Sequence, residues 1–504
     1  MGNYISKFNT TAEFDTFITT SECLKPHVSL TKDNHKVHYI DYSHKYLTFV
    51  ALENGTFTLT IGSGVSTSIL SSVSYSTDDG ETWISTNNQD DTTVTITTPT
   101  ISQGNKVLWK GVGTAMSIAT NYTAQANIPS SSSIFSSTKR FNAEGNVMSL
   151  LYGDSFEDKT TFANGSSSNF ASLFYQATKL VSASNVYMAA RIAKNYTYLR
   201  MFYGCTALTA VPTLQTKTVG QYCCINMFYK CQALATVPNS MLPAMTLTSN
   251  CYQEMFYGCT SLATAPELPA TTLASNCYNC MFQDCKSLTT APELPAMTLA
   301  NYCYSNMFVG CTSLTTAPEL PATALTTSCY QNMFYNCTSL TTAPELPAMT
   351  LAISCYAGMF YGCTSLTTAP ELPAMTLSAY CYDNMFGGCT SLTTAPELLA
   401  TTLAGNCYQY MFQGCTRLTT APELPALELV SYCYQYMFKG CSNLNYIKAM
   451  FIREPGTSST NSWVNGVASN GTFVMNSNAD WNTGTTACGI STYPCDWTVE
   501  TASS

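Results

Sequence analysis

Apolar positions in this chain recur with a stride of 26 residues through much of its length. A Met-Phe pair opens at Met201, Met227, Met255, Met281, Met307, Met333, Met359, Met385, Met411 and Met437. Only the step from Met227 to Met255 is longer, by two residues near Asn239 and Ser240. The surrounding pattern reads C-Y-x-x-M-F-x-G-C-T-S-L-T-T-A-P-E-L-P-A-x-T-L-x-x-x and is cleanest from Cys277 to Tyr302. Each copy holds two apolar clusters between polar spacers: Leu288, Ala291 and Leu294, then Leu299, Tyr304, Met307 and Phe308. A unit this short cannot bury such faces alone, so the pattern predicts a solenoid in which neighbours cover one another.

Within one copy, Thr289-Thr290 favours extended backbone and predicts a short strand near Leu288 to Ala291. Pro292 and Pro295 lack backbone donors, so the chain is expected to leave that strand along an extended, proline-guided path. The run from Asn301 to Phe308 predicts one or two helical turns, closed at Gly310. Stacked at ordinary inter-strand spacing, ten to twelve coils would extend roughly 50–60 Å, with Leu on Leu, Phe on Phe and Cys on Cys.

These residues resemble BspA-type (Treponema-type) leucine-rich repeats, whose core reads roughly L-x-x-I-x-I-P…A-F-x-x-C. Leu288-Thr289-Thr290-Ala291, Leu294-Pro295 and Met307-Phe308-Val309-Gly310-Cys311 fill the matching slots. The unit is a few residues longer than that core through its Cys-Tyr segment, and the strand carries an internal proline. The resemblance runs from about Leu173, where Leu173 to Leu180 is a degenerate first copy, to Cys441. It implies a mainly β fold with short helical turns: a right-handed leucine-rich-repeat solenoid of about 10–12 coils, here placed at 171–444.

Other modules flank the repeats. Residues 45–127 alternate polar and apolar through Tyr46 to Val50, Thr56 to Ile61, Thr93 to Ile96 and Val107 to Trp109, which predicts a small antiparallel β-sandwich. Inside it, Ser76 to Trp83 reads S-x-D-x-G-x-T-W and resembles the Asp-box of sialidase propellers, which implies a stabilised hairpin turn. Residues 128–170 hold a Ser-rich linker and a cap for the stack, and 445–504 close its other end. Trp463, Phe473, Trp481 and Trp497 supply that C-terminal cap with apolar bulk, an aromatic sugar-binding tip being the alternative.

Residues 1–44 differ in composition. Thr10 and Glu13 form a capping-box pattern ahead of Phe14, Phe17 and Ile18, and a hairpin follows between 27–30 and 36–40. Tyr4 to Phe8, Val28 to Leu30 and Val37 to Tyr39 resemble the short segment that opens many structural proteins of phages infecting gut Bacteroidales. That resemblance implies a virion anchor which docks to other virion proteins.

Composition narrows the function classes. Charged residues make up 10% of the chain, against about 25% in typical soluble domains, so Thr, Ser, Asn and Gln must supply the wet surface. A net charge of −9 argues against nucleic acid or anionic lipid as a partner. No apolar run reaches a membrane-spanning length, and no basic-then-apolar leader opens the chain. The 24 cysteines fall mainly at two repeat positions, such as Cys277 with Cys285, which reads as buried reduced thiols. Cys488 with Cys495, outside the repeats, is the best candidate for a bridge.

Candidate chemistry is sparse. All four histidines lie between His27 and His44, which removes Ser-His-Asp and Cys-His machinery from the rest of the chain. His27, His35 and His38 with Cys23 lack zinc-type spacing, so solvated hairpin positions are the expectation and neither metal nor cofactor is expected. Glu267, Glu293, Glu319, Glu345, Glu371, Glu397 and Glu423 would stack as an acidic column, read either as a solvated rim or as an attractor of cations and basic groups. Equivalent carboxylates do not make the two unlike environments that a glycosidase needs. Thr289, Thr290, Thr315, Thr316, Thr341, Thr342, Thr367 and Thr368 would form a flat hydroxyl face, the surface expected to meet a ligand. The whole points to a non-enzymatic, oligomeric, virion-associated fibre or capsid-decorating adhesin that contacts host-surface glycan or protein. A bacterial BspA-type surface adhesin and a purely structural virion component are the alternatives.

Overall fold

The computed structural model describes residues 28–33, 36–65, 70–87, 94–118, 131–162, 167–481 and 488–502, with side chains from Asp41 onward except at Thr86, Asn87 and Thr457. They belong to two compact units, Met1–Pro243 and Ala244–Ser504, each taken by itself below. The helix expected between Thr10 and Ile18 lies outside the described residues, as does Cys23.

The first unit opens with β1 (Val28–Asp33) and β2 (Lys36–Asp41), an antiparallel pair in which Val28 faces Asp41 and Asp33 faces Lys36. The strands that follow are β3 (Leu47–Ala51), β4 (Phe57–Ile61), β5 (Leu70–Ser76), β6 (Ile84–Asn87), β7 (Val94–Thr97), β8 (Lys106–Gly113), β9 (Ile134–Ser137), β10 (Phe141–Asn146) and β11 (Leu180–Tyr187). Alternation sets their faces: Phe57, Leu59 and Ile61 of β4 are buried while Thr58 and Thr60 are half-buried. One sheet runs β11-β10-β3-β8-β5-β6 and the other β7-β4-β9.

An aromatic core joins the two sheets. The Phe49 ring lies 5.5 Å from Phe57, 4.8 Å from Phe135 and 5.2 Å from Phe141. The sandwich therefore takes in β9, β10 and β11, beyond the 45–127 span expected from sequence. The reason is that β10 pairs antiparallel with β3 and parallel with β11. Phe174 then packs 5.8 Å from both Phe49 and Phe135, and the stack continues through Phe202 at 5.2 Å and Phe228 at 5.3 Å. Sandwich and first repeat copies thus share one hydrophobic core.

In the second unit, copies of the repeat lie in parallel register, each covering the next. Phe256, Phe282, Phe308 and Phe334 stack with centroids 5.6–5.7 Å apart, and Tyr278, Tyr304 and Tyr330 do so at 5.8–5.9 Å. Leu288, Leu294, Met307, Phe308 and Cys311 are all at most 4% exposed.

The backbone that carries them departs from the sequence reading. The Asn301 to Phe308 run is no helix. Successive amide N–H groups alternate between two kinds of acceptor. Those of Tyr304, Asn306, Phe308 and Gly310 donate to Cys329, Gln331, Met333 and Tyr335 of the next copy. Those of Ser305, Met307, Val309 and Cys311 close local turns on Tyr302, Tyr304, Asn306 and Phe308. Every second turn requires a positive φ at its third residue, supplied by Tyr302 (58°), Asn306 (57°) and Gly310 (71°). Such a backbone costs about 1–2 kcal/mol at a non-glycine residue, and the lateral hydrogen bonds hold it in place.

The strand expected at Leu288 to Ala291 likewise shrinks to isolated parallel bridges, Thr264 to Thr290 to Thr316 to Thr342. Pro292 and Pro295 cannot donate, so no longer ladder forms there.

Past Leu444, where the sequence motif fades, the stride persists. The strands Tyr446–Ala449, Thr472–Met475 and Thr498–Thr501 are parallel, with Ile447 facing Phe473 and Phe473 facing Val499. Cys488 and Cys495 are bridged.

Candidate functional site

The site residues proposed from sequence are exposed and recur at matching positions of successive copies. Bridges at Thr290–Thr316 and Thr298–Ala324 bracket Glu293 and Glu319, so these carboxylates sit in the same register position of adjacent copies. Thr289, Thr290, Thr315, Thr316, Thr341, Thr342, Thr367 and Thr368 are exposed, and so are all seven column glutamates from Glu267 to Glu423.

The two threonines of a pair play different parts. The first ties copies together: Thr341 donates to the Thr315 carbonyl through both its amide (3.2 Å) and its hydroxyl (3.3 Å), and Thr393 does the same to Thr367 at 3.1 and 3.2 Å. The second carries the parallel bridge. The hydroxyls of Thr289, Thr341 and Thr393 are therefore spent on the stack itself, which leaves the second threonines freer to meet a ligand.

Among the described residues, only the last column glutamate has an ion-pair partner: Lys448 Nζ lies 2.9 Å from Glu423 Oε2. Spacing alone had hidden a further feature. One repeat position is held by Met245, Met297, Met349, Met375 and Leu427, which are 52%, 58%, 53%, 61% and 48% exposed, and in the remaining copies by Thr271, Thr323 and Thr401. The free "x" of P-A-x-T-L was the available signal, since a surface position seldom selects methionine repeatedly.

The Asp-box turn forms as expected. Asp78 Oδ1 accepts from Ser76 Oγ at 2.6 Å and from the Thr82 amide at 2.9 Å, and these bonds push its carboxyl down to about 2. Beside the turn, Lys110 Nζ lies 4.0 Å from the Trp83 ring centroid and 2.8 Å from Asp154, which also accepts from Tyr46 Oη at 2.6 Å. Burial first, then that hydrogen bond, pushes the Tyr46 phenol up to about 12, so the cluster braces the module with its acid charged and its phenol neutral.

Other candidate chemistry recedes. His44 lies 3.3 Å from Glu157, while the side chains of His27, His35 and His38 fall outside the described residues. Among the described residues no group of three or more His, Cys, Asp or Glu is placed to hold a metal ion, and no helix is long and apolar enough to cross a membrane. The aromatic residues of 445–504 do not form a sugar platform: Trp463, Phe473, Trp481 and Trp497 are at most 7% exposed. Trp463 and Trp497 spend their indole N–H groups on Thr492 and Ala468 carbonyls.

The repeat-position cysteines are buried thiols, free of disulfides. The second of each pair also acts as a donor, which spacing had not revealed: Cys311, Cys337 and Cys363 each place Sγ 3.1 Å from a phenylalanine carbonyl 29 residues earlier. Burial pushes the Cys389 and Cys441 thiols up to about 12.

A stack of short copies with an inert core and a regular outer face is a repeat scaffold of the leucine-rich class. Residues 226–367, 278–396 and 354–453 match the model of the BspA type leucine rich repeat region, in six copies. The stretch 226–453 of this chain is a BspA-type leucine-rich repeat region. No curated protein matches the chain. Among solved structures, a crystal structure of a TLR13–ssRNA13 complex is similar at 14% identity over 60% of this chain, with a TM-score of 0.23. The match spans 46% of that chain, and a likeness of this size bears on neither ligand nor partner.

Proposed function

We propose that this chain is a non-enzymatic, adhesin-like recognition protein of a virion, a fibre or a capsid-decorating component, made in the bacterial cytoplasm and exposed on the particle. In this reading the repeats form a right-handed solenoid of ten to twelve coils. Residues 1–44 dock to other virion proteins, and the solenoid face meets host-surface glycan or protein. The observation that carries the reading is the in-register exposed face of Thr290, Thr316 and Thr342, held by bridges between copies. Weak contacts repeated along such a face, and across an oligomer, add up through effective concentration.

A bacterial BspA-type surface adhesin is the second reading, favoured by the family match over 226–453. A purely structural virion part would share the anchor and lack the receptor contact. Cryo-electron microscopy of native particles tests placement, and binding of the purified chain to host-surface glycans tests recognition. The virion reading fails if particles lack the chain, and the receptor reading fails if no host-surface material binds.

A further inference from the structure

The exposed methionine stripe has no obvious structural purpose. A methionine at a position more than half exposed adds little to a core, yet Met297, Met349 and Met375 hold such a position. Bridges from Thr272 to Thr298 and from Thr350 to Thr376, one residue beyond the stripe, keep its members in register. Burial alternates along the adjoining segment: Glu293, Pro295 and Met297 are exposed while Leu294 and Ala296 are buried. Extended backbone therefore turns glutamate, proline and methionine to the same side. The acidic and the thioether rails lie about 13 Å apart at four residues of extended chain, with a mostly prolyl line between them; the thioether rail alternates with threonine at Thr271, Thr323 and Thr401 and ends on Leu427.

We infer that this face docks a basic amphipathic polypeptide segment, laid along the stack with its cations on the glutamate rail and its apolar side chains on the methionine rail. Charge complementarity argues for that occupant. Carboxylates of neighbouring copies lie ~5 Å apart and repel one another. Where the column ends, the chain supplies the complement itself, Lys448 on Glu423 at 2.9 Å. A second copy placed face to face would set acid against acid, and an anionic membrane would be repelled in the same way. Methionine suits the apolar half, because its unbranched, polarisable side chain adapts to varied partners. A helix is about 10–12 Å across, close to the separation of the rails.

The inference rests on the repeats being a recognition scaffold, and it assigns a rail and a partner chemistry that the threonine face does not. The test uses the full chain and a fluorescein-labelled helical peptide of leucine and lysine, segregated on opposite flanks, read by fluorescence anisotropy. A peptide with glutamate replacing lysine is the control. Binding of the basic peptide alone is expected, weakened about tenfold or more by the triple change M297S/M349S/M375S, and similarly by E293Q/E319Q/E345Q or by raising salt from about 50 to 500 mM. Thermal melts confirm that these surface variants stay folded. Equal binding of the acidic peptide, indifference to both variants, or tighter binding to phosphatidylserine vesicles than to the peptide would overturn the inference. Glycan binding measured on the same preparations separates the two readings. Glycan without peptide binding sinks this inference alone, and peptide without glycan binding sinks the glycan-receptor reading alone.

Discussion

The thiol of Cys311 points at the carbonyl oxygen of Phe282, 3.1 Å away and 29 residues earlier. It sits in a core where burial holds the thiol far above its ordinary range. The same contact recurs in seven consecutive copies of the second unit, from Cys285 to Cys441. Cysteine at this position is both a small core residue and a rivet between copies.

Removing one rivet should be felt. Cys311→Ala takes the thiol donor from the Phe282 carbonyl and leaves a small void, at a cost of about 1–3 kcal/mol. Cys280→Ala, at a partly buried position off this column, should cost less. Denaturant melts of both variants check the difference, and equal midpoints would refute the bridging role.

The thiols should also be kinetically silent. Thiolate is the reactive form, and groups pushed up to about 12, such as Cys389 and Cys441, carry almost none at pH 8. Iodoacetamide should leave the folded array unlabelled and modify it only at the rate of unfolding. Mass spectrometry with and without denaturant reads the outcome.

The phenylalanine and tyrosine ladders should respond oppositely to truncation. Phe308 stacks at 5.7 Å on both Phe282 and Phe334 and is fully buried, so Phe308→Ala should cost about 3–5 kcal/mol. The Tyr304 hydroxyl is buried without a hydrogen-bond partner, so Tyr304→Phe should be neutral or stabilising. A destabilised Y304F protein would mean that the hydroxyl has a partner after all.

Asp383 introduces a pH dependence. Burial pushes its carboxyl up to about 7, at a place where the neighbouring copies carry Ala357-Gly358 and Gln409-Tyr410. A folded-state value above the unfolded one means that the folded chain holds the proton more tightly. Its contribution is fully present below about pH 4 and is lost as pH rises through about 7. Asp383→Asn should therefore flatten the melting temperature between those limits. An unchanged pH profile in that variant would rule the carboxyl out as the cause.

Much of the stack could be read from residue types. The Cys, Tyr, Met-Phe and Leu positions identified the buried set, because spacing of 26 residues between like apolar side chains leaves few other ways to hide them. The turn geometry could not be read this way. Tyr302 has no intrinsic preference for a positive φ, and a local view of Asn301 to Phe308 favours a helix. The terminal copies were half-visible: Ile447, Phe473 and Val499 keep the stride while the motif around them has gone. The methionine positions are not legible in the consensus because threonine and leucine share them, at Thr271, Thr323, Thr401 and Leu427.

By itself the sequence determined the stride, the inward set of side chains and the column of glutamates, because each is a matter of residue type at a repeated position. Tertiary structure alone decided which amides close a turn and which reach the next copy, and so that the ribbon is neither helix nor strand. The acceptor for the Phe308 amide is the Met333 carbonyl, 2.9 Å away in space but in the next copy along the chain, and no local preference can specify such a bond.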